Sequence, residues 1–295
     1  MPIPRPGETA ALATAFCWAA SALSFEYAGR RIGSLSLNVV RLTQGFVLLA
    51  AFVLVFRGAA AFTALSGEAA LLLAISGLVG LVFGDWCLFR AMVVLGARTA
   101  LLVMALVPLL TAGAGWIALG ESPGRWGILG MALTVGGVAW VVLERNPGGE
   151  VRYPPAGILL ALGGAVGQAA GLLLSRRAME GADPFVAASW RVAAGLVGYA
   201  VLLTATGWWP RLREALRDRR AVGISGIGAF FGPFLGITGS MAAVRWTDAG
   251  TAATIMALVP VILIPPSALV FHERVTVRAV LGALLAVGGV ALLFL

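Results

Sequence analysis

A five-residue segment, Met-Ala-Leu-Val-Pro, occurs twice in this chain, at residues 104–108 and, 152 residues later, at residues 256–260. When residues 96–143 are aligned with residues 248–295 at this offset and without a gap, 18 of 48 positions are identical. The identities include residues that apolar composition does not explain: Thr99/Thr251, Pro108/Pro260 and Glu121/Glu273. The chain is therefore predicted to be a duplicated unit, and a repeat of this length constrains the fold before any single motif does.

Both copies are too apolar to dissolve in water. Apolar residues make up 60% of the chain, charged residues make up 12%, and the mean hydropathy is +0.97. A soluble domain has about half apolar and about a quarter charged residues. The sequence therefore predicts an integral membrane protein surrounded by the lipid bilayer. The formal net charge is +8, but its arginines are scattered between apolar spans, so we expect no nucleic-acid partner.

Ten apolar spans are bounded by charges, Pro or Gly, and each has roughly the 20 residues that a helix needs to cross a bilayer. Their approximate ranges are 9–28, 35–56, 69–90, 98–119, 124–143, 155–175, 184–206, 221–243, 248–271 and 277–295. Five spans fall in each copy, which predicts units at residues 1–147 and 148–295. Because five is odd, the second unit is expected to enter the membrane from the opposite side.

The expected fold class is thus an all-α integral membrane protein, with ten transmembrane helices in two inverted five-helix repeats around a central cavity. This is the arrangement of secondary transporters, in which the substrate site lies between the halves near the middle of the membrane.

Pro108 and Pro260 fall near the middle of the fourth and ninth spans. A proline inside a helix removes one backbone hydrogen bond and kinks the helix. The carbonyls of Met104 and Met256, four residues earlier, are expected to lose their usual donors and to face protein or a wet cavity. Two interpretations stay open. The bends either line a central pathway or are structural kinks at a packing contact.

Ionisable residues within membrane spans are expensive and usually functional. The residues predicted to serve in coupling or in ion pairs are Glu26, Arg41, Asp85 and Arg191. An ion pair between Asp85 and Arg41 would neutralise both side chains, so a structural role stays open. If transport is linked to protons, Glu26 or Asp85 is expected to titrate. An available arginine holds an acid ionised and favours a facilitator.

The first two spans of the copies align with an offset near 150 residues. This alignment places Arg41 opposite Arg191 and Trp18 opposite Gln168.

Several segments resemble the helix 3–5 signature of EamA-type carriers, which belong to the drug/metabolite transporter superfamily. They are Gly84–Met92, Ala97–Pro108, Gly120-Glu121 and Gly136-Gly137, and the signature recurs at Ala249–Pro260, Glu273 and Gly288-Gly289. The resemblance covers nearly the whole chain. It implies ten helices, inverted repeats and a central cavity. Members include exporters of amino acids, among them aromatic amino-acid exporters of the YddG type. A helix-three position that is often aromatic in the family corresponds to Trp86.

The substrate site is expected where the two copies meet. The predicted substrate-binding residues are Trp18, Ser21, Trp86, Met104, Pro108, Gln168, Ser240, Met256 and Pro260. Aromatic faces with a few hydrogen-bonding groups suit an amphipathic or aromatic solute. We therefore expect export of small amphipathic metabolites, above all amino acids (aromatic or other neutral), by alternating access in the cell inner membrane.

A carrier of drugs or nucleotide-type metabolites is one alternative, and an intramembrane enzyme is another. The chain has neither an H-E-x-x-H nor a G-x-S-x-G segment, so no enzyme activity is expected. No cofactor and no metal are predicted, and the oligomeric state, a monomer included, stays open.

Overall fold

The structure is a computed structural model, and it describes residues 5–119, 125–143, 153–179, 182–247, 252, 255–270 and 276–293. Within these ranges every regular element is a helix. The elements are α1 Pro6–Ile32, α2 Ser34–Phe56, α3 Gly67–Leu95, α4 Ala97–Val103, α5 Val107–Leu119, α6 Arg125–Val142, α7 Pro155–Ala178, α8 Pro184–Thr206, α9 Trp209–Ala215, α10 Arg219–Trp246, α11 Val259–Ile262, α12 Ile264–Val270 and α13 Val277–Leu293.

Six of the helices in these ranges are long and apolar enough to cross a membrane, namely α2, α3, α6, α7, α8 and α10. The prediction of an all-helical membrane protein is confirmed, whereas ten spans stay a prediction. Some residues that carry the repeat in the sequence lie outside the described residues: Gly120, Glu121, Ala249, Thr251 and Glu273. The predicted boundary between residues 147 and 148 lies outside them as well.

Helices α1 and α2, and likewise α3 and α4, are joined by a single glycine. Gly33 and Gly96 have φ values of 78° and 83°, a conformation that side chains with a Cβ rarely adopt. Each glycine ends one helix and begins the next, so the two helices are connected through a single residue. The predicted end of the third span at residue 90 is therefore too early. Arg90 does not stop the helix, because its guanidinium lies 5.7 Å from the centre of the Trp86 ring one turn earlier.

Helices α3 and α10 each contain a π-helical segment, at equivalent places in the two copies. The segments are Gly77–Gly84 and Phe230–Gly236. A π-helical turn holds an extra residue, so it changes the direction in which the following side chains leave the helix. The hydroxyl of Tyr199 on α8 donates to the carbonyls of Leu81 and Val82, at 3.0 and 3.2 Å, and so serves carbonyls of the first segment. That segment ends directly before Asp85.

Helices α6 and α13 pack in antiparallel directions with their backbones in direct contact. A Cβ added at Gly137 would lie 2.7 Å from the carbonyl oxygen of Gly282, and one added at Gly289 would lie 2.6 Å from that of Gly130. Gly130 and Gly282 are equivalent under the 152-residue offset, and so are Gly137 and Gly289. The contact is thus reciprocal, as a two-fold axis between the two helices would make it.

Gly289→Ala should destabilise the protein, because the added methyl group would meet the backbone of α6. Overpacking of this kind costs about 1–3 kcal/mol. Gly288→Ala is the matched control, since a Cβ at that residue has nothing within 4 Å. Thermal unfolding of the two purified variants in detergent tests the packing. Equal melting temperatures would contradict it.

Ion pairs at the helix ends connect the two copies. Nε of Arg31, at the end of α1, donates to Oδ2 of Asp218 at 2.7 Å, and Nε of Arg57 donates to Oδ2 of Asp183 at 3.0 Å. Asp218 also accepts the N–H of Ala221 at the start of α10. This amide and the Arg31 guanidinium hold the pKa of the Asp218 carboxyl below its usual range. Exposed pairs add little stability, so their main effect is to align the helix ends.

Candidate functional site

A cavity of about 180 Å³ lies between the two copies, and residues of both copies line it. Helices α1, α2, α3, α4, α5, α7, α8, α10 and α11 all contribute to its wall. The wall consists of Trp18, Ser21, Ala22, Phe25, Arg41, Leu81, Asp85, Leu88, Phe89, Met92, Leu101, Met104, Ala105, Val107, Pro108, Gln168, Leu172, Arg191, Gly232, Pro233, Ile237, Ser240, Met256, Ala257, Val259 and Pro260. Most of these side chains are apolar; of the six polar ones, four lie on α2, α3, α7 and α8, and the other two are Ser21 on α1 and Ser240 on α10.

The cavity brings together all but one of the residues predicted to bind substrate. Those on the wall are Trp18, Ser21, Met104, Pro108, Gln168, Ser240, Met256 and Pro260. Trp86 does not line the cavity in this structure; it is half-buried and packs against the hydrophobic core. Asp85 takes the cavity side of α3 directly after the π-helical segment, and the next residue of a helix leaves in a direction about 100° away.

Among the residues predicted to form ion pairs or to couple transport, Asp85 and Arg41 form a buried ion pair on the wall. One carboxylate oxygen of Asp85 bonds Nη2 of Arg41, and the other accepts from Nε2 of Gln168 at 2.7 Å. Nε of Arg41 donates to Oδ1 of Asn38 at 2.9 Å, and its guanidinium lies 4.2 Å from the centre of the Phe89 ring. A buried charge is tolerated when it is paired and hydrogen-bonded. Through these bonds Asp85 connects α2 and α3 of the first copy with α7 of the second.

Glu26 lies away from the cavity wall and has partners of its own. Its side chain is 1% exposed. Oε1 accepts from Nη2 of Arg30 at 2.7 Å, and Oε2 accepts the N–H of Ala97 at 2.8 Å. Ala97 is the first residue of α4, where backbone N–H groups lack helical partners and favour a carboxylate. Glu26 therefore fastens the start of α4 to α1.

The chain bends at the first Met-Ala-Leu-Val-Pro segment. Residues Met104–Leu106 form a 3₁₀ turn between α4 and α5. The Met104 carbonyl has no donor at Pro108, as predicted, but it accepts the N–H of Val107 through the tighter turn. The carbonyl thus loses its usual donor and keeps a hydrogen bond within the turn. The bend itself lies on the cavity wall, which favours the interpretation of Pro108 as part of a central pathway.

Two hydroxyl groups on the wall, one on α1 and one on α10, have oxygens that can accept further hydrogen bonds. Ser21 donates to the carbonyl of Trp18 at 3.0 Å, and Ser240 donates to that of Ile237 at 2.7 Å. A hydroxyl that donates once can still accept. The wall thus combines acceptors at Ser21 and Ser240 with the amide of Gln168 and the guanidinium of Arg191.

Sequence reasoning missed several apolar wall residues. Leu88, Phe89 and Met92 follow Asp85 at spacings of three, four and seven, which places them on its face of α3. This spacing is visible in the sequence, and it would have identified them once Asp85 was assigned to the cavity. Phe25 stacks edge-to-face on Phe89, with ring centres 5.4 Å apart. No polar neighbour in the sequence distinguishes it from other phenylalanines.

The sequence pattern of the EamA-like transporter family matches this chain twice, at residues 5–143 and at residues 155–295. The chain belongs to the EamA-like transporter family. It is thus a membrane transporter of the drug/metabolite superfamily, and the resemblance and the duplication predicted from the sequence are confirmed.

The chain is similar to a bacterial protein and to a solved structure. The "Uncharacterized transporter YvbV" of Bacillus subtilis (strain 168) is 29% identical over 194 residues, which are 63% of this chain and 59% of that protein. The similarity therefore spans less than two thirds of the relative's length. A solved crystal structure with 20% sequence identity covers 97% of this chain and 95% of its own, with a TM-score of 0.66. This likeness establishes a shared fold.

Proposed function

We propose that this EamA family member is a secondary transporter that exports small amphipathic metabolites, above all neutral amino acids, from the cell across its inner membrane. The observation that carries the proposal is the cavity between the copies, where an apolar wall surrounds a few polar groups. This is the usual composition of a small-molecule site. A cavity of similar size in another protein, about 150 Å³, holds benzene, so the volume here suits a solute with one small ring or aliphatic side chain.

We infer that residues 1–147 and 148–295 form inverted five-helix repeats, with ten spans in all. Equivalent helices support this by making equivalent contacts. A Cβ added at Gly167 of α7 would lie 2.5 Å from Cα of Gly84 on α3, and one added at Gly236 of α10 would lie 2.6 Å from the Trp18 ring on α1. Gly84 corresponds to Gly236 under the 152-residue offset. Gln168, the neighbour of Gly167, corresponds to Trp18 under the offset of 150 residues, so the two contacts join equivalent parts of the copies. Rocking of the repeats about the cavity would open it to either side in turn.

Flux of amino acids in proteoliposomes tests the proposal directly. Protein reconstituted in liposomes should exchange L-phenylalanine across the membrane, and protein-free liposomes should not. Trp18→Ala and Gln168→Ala should each lower this flux about tenfold, the effect of losing about 1.4 kcal/mol of interaction. Trp86→Ala is the matched control and should keep its flux. Absence of exchange for every neutral amino acid would contradict the proposal, and so would lost flux in Trp86→Ala alone.

We further propose that the transporter is a facilitator. Both membrane-embedded acids are occupied, Asp85 by Arg41 and Gln168, and Glu26 by Arg30 and the N–H of Ala97. A proton on either carboxylate would displace one of these donors, and a buried donor without a partner is costly. An imposed pH difference should therefore drive no accumulation of L-phenylalanine in proteoliposomes. Glu26→Gln should behave like the wild type, whereas accumulation that is present in the wild type and lost in this variant would refute the facilitator.

A further inference from the structure

We propose that Arg191 binds a carboxylate group of the transported solute, and that organic cations are not transported. This inference rests on the proposed transport function and specifies its substrate class. It assigns different roles to Arg41 and Arg191, two arginines that occupy equivalent positions in the two copies.

Among the described residues Arg191 forms no salt bridge and no strong hydrogen bond, and its one acidic neighbour, Asp85, acts on it only through space because that carboxylate bonds Arg41 and Gln168. Its side chain lies on the cavity wall and the residue is 4% exposed. Nε has no hydrogen-bond partner, and Nη1 approaches only the thioether sulfur of Met241, at 4.0 Å. A thioether is a weak acceptor. A buried guanidinium needs a charged partner, and the cavity is where a solute can supply one.

The backbone leaves room for this guanidinium where α3 crosses α7. A Cβ added at Gly80 would lie 3.1 Å from Nη2 of Arg191, and a Cβ added at Gly171 would lie 3.4 Å from it. Because glycine has no side chain, only the backbone of these two residues lies beside the guanidinium. A planar guanidinium binds a carboxylate in a bidentate contact, and this is the contact we expect a solute carboxylate to make with Arg191.

The charges on the wall favour an anionic group. The charged wall residues are Arg41, Arg191 and Asp85, which together carry one net positive charge. Asp85 already uses one oxygen for Arg41 and the other for Gln168. The ammonium group of an organic cation would meet a positive wall with its only acid already occupied. A carboxylate would instead neutralise Arg191.

Arg41 shows what a paired arginine looks like in this protein. It bonds Asp85 and Asn38, and it lies against the ring of Phe89. Its donors are committed to holding α2 against α3. The equivalent arginine of the second copy, Arg191, has Ile237 at the position that Asp85 takes in the first copy, so it receives no salt bridge from its own copy there. The apolar wall around Phe25, Leu88 and Met92 would receive the remainder of the solute.

The test compares two probes that differ in one charged group, 3-phenylpropionate and phenethylamine. Ligand binding raises the melting temperature of a protein, so thermal unfolding of the purified full-length protein reports binding independently of transport. We expect 3-phenylpropionate to raise the melting temperature and phenethylamine to leave it unchanged. If phenethylamine stabilises the wild type as much as 3-phenylpropionate does, the inference is overturned, and this comparison requires no variant.

Variants locate the carboxylate. Arg191→Gln should weaken binding of 3-phenylpropionate at least about tenfold, as the loss of a charge-assisted hydrogen bond would. Arg191→Lys should bind it more weakly than the wild type and still reject phenethylamine. Arg90→Gln, which removes an exposed arginine outside the cavity, is the matched control and should bind like the wild type. Unchanged binding in a folded Arg191→Gln protein would overturn the assignment.

Flux assays separate this inference from the proposed function. If L-phenylalanine and L-phenylalaninamide are exchanged at equal rates, amino-acid transport stands and the role of Arg191 as a carboxylate site is refuted. If no amino acid is exchanged but 3-phenylpropionate binds through Arg191, the carboxylate site stands and amino-acid export is refuted.

Discussion

Asp85→Asn should lower the free energy of unfolding by about 3–5 kcal/mol, because it would leave the Arg41 guanidinium buried with no counter-charge. Arg41 is 3% exposed and Asp85 is 4% exposed, so water cannot replace the lost carboxylate. The bond between Gln168 and the carboxylate would be altered at the same time. Thermal unfolding in detergent, together with the yield of monodisperse protein, measures the effect.

The double variant Asp85→Leu/Arg41→Met distinguishes an ion-pair role from any other role of the carboxylate. Replacing a buried pair with apolar side chains of similar size is often neutral or stabilising. The double variant should therefore recover most of the stability that Asp85→Asn loses. If Asp85→Asn melts like the wild type, the pair does not hold α2 and α3 together. If the double variant is no more stable than Asp85→Asn, apolar packing cannot replace the pair.

Gly167→Ala should both destabilise the protein and reduce flux. A methyl group at this position would lie 2.5 Å from Cα and 2.9 Å from N of Gly84, so α3 and α7 would have to separate. Overpacking against backbone costs about 1–3 kcal/mol or more. Separation of the helices would also lengthen the 2.7 Å bond between Gln168 and Asp85. We expect a lower melting temperature and a flux lowered about tenfold, which corresponds to about 1.4 kcal/mol.

Gly163→Ala, one turn away on the same helix, is the matched control. The nearest atom to a Cβ at that residue is the sulfur of Cys87, at 3.2 Å. A side chain can rotate aside, whereas the backbone at Gly84 cannot. Gly163→Ala should therefore remain close to the wild type in melting temperature and flux. An equal loss of melting temperature and flux in both variants would contradict the explanation, because only Gly167 meets the backbone of Gly84.

The helix limits could be predicted well where a charge, Pro or Gly interrupts an apolar run. The spans predicted at 35–56 and 184–206 correspond to α2 (Ser34–Phe56) and α8 (Pro184–Thr206). The prediction was less accurate at Arg90, which lies within α3. An arginine near the end of a membrane helix can rest its guanidinium on an aromatic ring, and charge alone therefore does not mark where such a helix ends.

The convergence of residues on the cavity could be predicted because the same argument applied to both copies. Pro108 and Pro260 are equivalent under the repeat, and the structure places both on one wall. The rotational position of α3 could not be predicted. The π-helical segment Gly77–Gly84 changes which side chains face inward, so Asp85 and Phe89 reach the cavity and Trp86 does not. The glycines of this segment gave no sign of it, since glycines also mark close packing.

The partners of the buried charged side chains could also not be predicted from the sequence. Asp85 and Arg41 are 44 residues apart, and Glu26 and Ala97 are 71 residues apart. Only the three-dimensional packing shows that Glu26 binds the start of α4. It also shows that Arg41 forms a salt bridge, whereas Arg191 forms none with the described residues.

The central claim is that the solute passes through the cavity, and covalent blocking of a wall residue tests it most directly. Ser21→Cys would place a thiol on the wall, in a protein whose own cysteines are replaced by Cys17→Ser and Cys87→Ser. Val197→Cys, on the outer face of α8 at a residue that is 64% exposed, serves as the control. A membrane-permeant thiol reagent should abolish L-phenylalanine flux in the Ser21→Cys protein, excess L-phenylalanine should slow the reaction, and the Val197→Cys protein should keep its flux. Full flux through a completely labelled Ser21→Cys protein would contradict the claim.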